Sequence, residues 1–91
     1  YQGCYFDSND RLINDLLTND NTMTMTRCRT ICQHYAYFGL EAGKMCFCGN
    51  SLRRAGKLAP EAECTSSCVG NANEKCGGHA RIGLYSYQRI V

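Results

Sequence analysis

Eight cysteines, spaced as Cys4, Cys28-x3-Cys32, Cys46-x-Cys48, Cys64-x3-Cys68 and Cys76, leave few ways for this 91-residue chain to fold. An even count at this density in a short chain indicates a disulfide framework formed in an oxidising compartment. The expected location is therefore extracellular or at the cell surface, and the sulfurs are expected to serve as structure. Structural zinc sites favour Cys-x2-Cys knuckles, with a second pair or histidines nearby. The chain has no Cys-x2-Cys, and His34 and His79 lie far apart. Cys28 and Cys32 are one helical turn apart, while Cys46 and Cys48 share one face of a strand. That arrangement suits two helix-to-strand cross-links better than one tetrahedral ion, so neither a metal nor a cofactor is expected. Redox catalysis would require an activated Cys-x-x-Cys, which is also missing.

Residues 1–91 are expected to form a single, monomeric domain with a modest core. Three Phe, six Tyr and no Trp limit the apolar material, so covalent staples are needed. The formal charge is +2 with both signs interspersed, and only Arg53-Arg54 and the Arg27/Arg29 pair look basic. That is too little for a surface tracking phosphates, so no nucleic-acid partner is expected. No apolar run approaches the roughly 18 residues needed to span a bilayer. With no initiator methionine and no signal-peptide core, Tyr1 reads as an internal or processed start, and the chain as a module of a longer secreted or cell-surface protein. Asn21-Thr22-Met23 and Asn50-Ser51-Leu52 both miss the N-glycosylation sequon.

Along the chain, Tyr1 to Phe6 alternates as a short strand with Cys4 and Phe6 on one face, stopped by the turn-forming Asp7-Ser8-Asn9-Asp10. Residues 11–23 read as an irregular loop with at most one helical turn. Thr24 is a good N-cap, and Met25, Cys28, Cys32 and Tyr35, widened by Ile31, form a helical stripe ending near Tyr35 or Ala36. Two strand-like runs, 37–41 and 45–49, flank Ala42-Gly43-Lys44 and predict a hairpin. Residues 50–63 read as a surface loop, Cys64 to Cys68 as one helical turn, and Asn71-Ala72-Asn73 as turn-rich. Arg81 to Tyr87 makes a closing strand with Ile82 and Leu84 on one face and Tyr85 and Tyr87 on the other. The class is α+β: one main helix packed on an antiparallel sheet.

These residues carry a resemblance. Gly3-Cys4-Tyr5, Met23-Thr24-x3-Cys28-x3-Cys32, Gly39-Leu40-Glu41, Cys46-Phe47-Cys48-Gly49-Asn50, Cys64-x3-Cys68-x-Gly70-Asn71 and Cys76-Gly77-Gly78 resemble a WSC domain. The likeness covers Tyr1 to about Tyr87, and all eight cysteines have a counterpart. It implies a small, disulfide-rich PAN/apple-like fold with a helix tied across a curved antiparallel sheet. The implied pairing is Cys4–Cys64, Cys28–Cys46, Cys32–Cys48 and Cys68–Cys76. The middle two bridges agree with the helix-to-strand geometry; the others rest on the resemblance, since eight cysteines allow 105 connectivities. WSC domains occur in fungal surface sensors, in secreted fungal glucanases and oxidases, and in animal Kremen receptors. The family is regarded as binding carbohydrate, mainly cell-wall polysaccharide such as β-glucan, chitin or xylan.

Catalysis is not expected. There is no Gly-x-Ser-x-Gly elbow and no cysteine outside the framework, His34 reads as a solvated helix residue and His79 as a loop residue, and most of the eight carboxylates lie in loop-like stretches. A sugar binder needs exposed aromatic rings against the flat C–H faces of pyranoses, with polar groups for the hydroxyls. Alternation frees Tyr1, Tyr5, Tyr37, Tyr85 and Tyr87 from their strands' other faces, and turns Phe47 away from the helix. The candidate ligand-binding set is Tyr5, Tyr37, Glu41, Phe47, Asn50, Arg81 and Tyr85. Pairing of the first and last strands would gather several of these rings on one surface. A second reading stays open for Tyr5, Phe47 and Tyr85, as a small core beneath the long loop. Glu41, Asn50, Asn71 and Arg81 are placed either for sugar hydroxyls or for their own turns. Gly77 and Gly78 are expected to answer backbone demands. The rival function is a protein-interaction module of a surface sensor or receptor, where a tyrosine-rich patch would serve equally well.

Overall fold

The computed structural model describes residues 1–8 and 10–87; Asn9, placed in the first turn by the sequence, lies outside them. A five-stranded antiparallel sheet is built from β1 (Gly3–Phe6), β2 (Leu16–Asn19), β3 (Tyr37–Glu41), β4 (Met45–Gly49) and β7 (Arg81–Ser86), in the spatial order β1-β7-β3-β4-β2. A two-stranded ribbon of β5 (Ser67–Cys68) and β6 (Asn71–Lys75) stands apart from it. The single helix, α1 (Met25–Ile31), packs on β3 and β4.

Helix and hairpin form where the pattern places them. The Thr24 side chain accepts a hydrogen bond from the Arg27 amide, satisfying one orphan donor of the first turn. The helix closes at Ile31, earlier than the stripe predicts, because Tyr35 folds back to donate its amide to the Cys32 carbonyl. In the hairpin, Phe38 pairs with Cys48 and Leu40 with Cys46. Three expectations are corrected. Residues 16–19 form an edge strand paired to β4, not a loop. Cys64 to Cys68 is extended, a 3-10 turn lying just before it at Glu61–Glu63. Asn71-Ala72-Asn73 opens strand β6.

The bridges join Cys4 to Cys64, Cys28 to Cys46, Cys32 to Cys48 and Cys68 to Cys76, the pairs that the resemblance implies. The Cys28, Cys32 and Cys46 sulfurs lie within 4.8 Å of one another. Each is already consumed in a disulfide, so this cluster lacks the thiolates a metal would need.

The sheet is covered on both faces. On the helix side Met23, Phe38, Leu40 and the two central disulfides form the main core. On the opposite face Phe47, Ile82 and Leu84 pack beneath Leu12 and Ile13 of the loop after β1. Under that loop the fully buried Asp7 side chain accepts from the Leu12 amide. Arg11 reaches both Asp7 and Glu41, and Arg54 reaches Asp7. Two carboxyls and two guanidiniums thus pin both loops to the end of β3. Burial, followed by the adjoining Asp7 carboxylate, pushes the Glu41 carboxyl up to about 8 against the pull of Arg11. Gly77 seals the far side: its φ of +69° is left-handed, and a Cβ there would collide with the Leu40 carbonyl.

Candidate functional site

The sequence-predicted site residues do not form one surface. Phe47 is fully buried and Glu41 is 3 % exposed, so neither offers a face to a ligand. For Phe47 the second-core reading is the one the packing supports, since its ring lies between the sheet and Leu12 and Ile13. For Glu41 the β3 register turns the side chain under the loop, where Arg11 meets it. Tyr5 and Tyr37 are half-buried at the margin of that same core. Asn50 is exposed, and its side-chain oxygen accepts from the Ala36 amide. Arg81 lies with its guanidinium 4.1 Å over the Phe6 ring and bonds Glu63 through Nε. Of the predicted set, Tyr85 lines a cavity on the helix side, and Tyr37 and Asn50 together line a separate, wider cleft of about 570 Å³.

That cavity, of about 390 Å³, is walled by Tyr1 and Tyr85, with Glu61, Thr65 and Lys75 at its rim and Gly77 and Gly83 in its floor. The register explains the floor. Cys4 pairs with Gly83, so the absence of a side chain on β7 leaves a hollow beside the Cys4–Cys64 bridge. Gly3 explains the wall. Unbroken alternation would place Tyr1 on the same face as Tyr5, but the φ of +130° at Gly3 turns the chain. The Tyr1 ring therefore lies against Tyr85, their centroids 5.0 Å apart and the planes inclined by 55°. Tyr85 is stacked in turn on Phe38, at 4.7 Å and 4°.

Tyr1 is held at a second point. Its hydroxyl donates to Glu61 Oε1 at 2.7 Å, while Glu61 Oε2 accepts from the Cys4 amide at 2.9 Å. The 3-10 turn that carries Glu61 is tied to β1 by the Cys4–Cys64 disulfide, so one bridge fixes both ends of this contact. Burial and the neighbouring Glu61 raise the Tyr1 phenol; burial, then the charges of Glu74 and Glu61, raise that of Tyr85. Both hydroxyls therefore stay protonated across the physiological range. The groove presents two aromatic faces, two phenolic hydroxyls, a carboxylate with both oxygens already engaged, and an exposed ammonium. Aromatic faces and hydrogen-bonding groups of this kind can pack on and bond a polyhydroxylated ring.

Alternation frees Tyr1 as an exposed ring, but the candidate ligand-binding set does not include Tyr1, Glu61, Thr65 or Lys75. Gly3, two positions after Tyr1, is the local signal for the turn of the chain. The other three arrive from 60 or more positions downstream, and no local pattern announces them.

Comparison with known proteins gives a match of residues 1–78 to the WSC domain family model. A WSC domain-containing protein of Arthroderma benhamiae is 40% identical over 94% of the chain, which covers 10% of that protein. Kremen protein 1 of Xenopus laevis is 39% identical over 91% of the chain, which covers 19% of it. Xylosyltransferase oxt of Drosophila pseudoobscura pseudoobscura is 38% identical over 91% of the chain, which again covers 10%. The chain thus spans a small part of the curated relatives it matches.

Proposed function

The chain belongs to the WSC domain family, and from that premise we propose that it is an extracellular, non-catalytic carbohydrate-binding module. Its role is to attach a longer parent protein to cell-wall polysaccharide of the β-glucan, chitin or xylan type. The observation that carries this reading is the Tyr1–Tyr85 pair standing over a side-chain-free floor at Gly83, with hydroxyl, carboxylate and ammonium groups around it. Tyrosine suits a wetted platform because its ring packs on C–H faces while its hydroxyl remains hydrogen-bonded. The four disulfides fit an oxidising, extracellular setting. Among the described residues no helix is long and apolar enough to cross a membrane.

The test is retention on insoluble chitin, β-1,3-glucan, xylan and cellulose. Binding to at least one of them, little altered between low and moderate salt, is the expected result, because the ligand is neutral and the net charge is only +2. If no polymer retains the module, a protein-interaction role takes its place. One observation favours that second reading: Leu16 and Leu17 are 39% and 46% exposed on β2, an edge strand.

A further inference from the structure

We propose that the groove between α1 and Tyr87 is a second sugar-binding subsite, occupied by a further stretch of the same glycan chain that lies on Tyr1 and Tyr85. This rests on the carbohydrate-binding reading above and adds to it the length of the ligand. The groove, of about 330 Å³, is lined by Thr26, Arg29, Thr30, Gln33 and Tyr87. Past Gln33 and Tyr87 it opens into a wider cleft of about 570 Å³, to which His34, Tyr35 and Asn50 contribute. Like the first site it combines partly exposed tyrosine rings with side chains that hydrogen-bond hydroxyls, and here amide and guanidinium donors predominate.

Two features join this groove to the first site. The aromatic file does not stop at Tyr85: Phe38 stacks on Tyr85, and the Tyr87 ring follows with its centroid 5.3 Å from that of Phe38. Tyr1, Tyr85 and Tyr87 are the partly exposed members, and buried Phe38 holds the last two in line. The ground between the sites is also fixed, because Glu74, next to Lys75 of the first cavity, accepts from the Met25 amide, next to Thr26 of the second. Tyr87 is anchored by its hydroxyl, which donates to the Arg29 carbonyl. Burial raises its phenol against the pull of the nearby Arg29 guanidinium. A ring secured in this way offers a preorganised surface, and ordering it costs a ligand little.

The experiment compares retention of the intact chain on the same four insoluble polymers for wild type, Tyr1→Ala, the pair Arg29→Ala/Gln33→Ala, and all three changes together. Arg29 and Gln33 are exposed, so the pair is expected to leave the melting temperature unchanged. Two subsites on one chain predict that Tyr1→Ala and the helix pair each weaken retention by roughly tenfold, and that the triple variant loses more than either. Should the pair lower the melting temperature, Gln33→Ala alone, lying beyond the end of α1, carries the same expectation. Wild-type retention by the Arg29/Gln33 variants while Tyr1→Ala is lost would overturn the second subsite and leave the carbohydrate reading intact. Absence of wild-type retention on all four polymers would instead overturn the carbohydrate reading, and the second subsite with it.

Discussion

Tyr1 and Phe47 show how little an aromatic residue's type says about its use. Both were released from the cysteine faces of their strands by the same alternation, yet one is 60% exposed and the other fully buried. The difference lies in what covers each ring: Leu12 and Ile13 close over Phe47, whereas Tyr1, carried to the other face by the turn at Gly3, rests against Tyr85 at the edge of an open groove. Phe47→Ala should therefore cost about 3–5 kcal/mol of stability, read from denaturant unfolding. Tyr1→Ala should leave the unfolding midpoint in place while weakening polysaccharide retention. Glu41 carries the pH dependence. Its carboxyl is pushed up to about 8 in the folded chain, against an ordinary value of 4.5. Below 4.5 both states hold the proton; between 4.5 and 8 only the folded state does, so stability falls as pH rises through that window. Glu41→Gln, whose amide can donate to Asp7 as the protonated acid does, should flatten the decline in melting temperature across that range. An unchanged slope would assign the pH dependence to other groups.

Elements with a local signature were legible, and those made by distant partners were not. The helix was written in Thr24 and the Met25-Cys28-Cys32 stripe, and the hairpin in two alternating runs around Gly43. Strand β2 was missed because Leu16-Leu17-Thr18-Asn19 is mostly exposed and does not alternate; pairing with β4 holds it, not burial of its own. Strand β6 is likewise almost wholly exposed, and its Asn-rich sequence favours turns; the Cys68–Cys76 bridge closes the ribbon around it. Of the candidate set only Tyr85 lines this cavity: its other wall, Tyr1, is placed by the turn at Gly3, and part of its rim by the 3-10 turn that the Cys4–Cys64 bridge brings to β1. Replacing Cys4 and Cys64 together by Ser should lower stability by about 2–5 kcal/mol. It should also weaken binding at temperatures where the variant remains folded, since the Tyr1–Glu61 contact loses its tether. Replacing Cys68 and Cys76 should affect stability far more than binding.

For the molecule as a whole, cysteine order indicated the fold class, and the two sheet faces differ in how open they are. The face opposite the helix is closed by loops and by the Asp7–Glu41–Arg11–Arg54 cluster; the helix side keeps its openings beside Tyr85 and Tyr87. A core this divided depends on its staples, so full reduction should unfold the chain, and thiol titration of the unfolded, unreduced protein should find no free thiol. Binding of polysaccharide in the groove over Gly83 is best tested by narrowing that groove without removing any contact. A Cβ at Gly83 would lie 3.8 Å from the Gly77 nitrogen, the Leu40 carbonyl oxygen and the Tyr1 ring, all ordinary contact distances, so Gly83→Ala is compatible with strand β7 and places one methyl group under Tyr1. Retention of this variant and of wild type should be compared on whichever of the four polymers holds the wild type. The expected result is an unchanged melting temperature with weakened retention. Full retention by a folded Gly83→Ala protein would contradict binding at this groove.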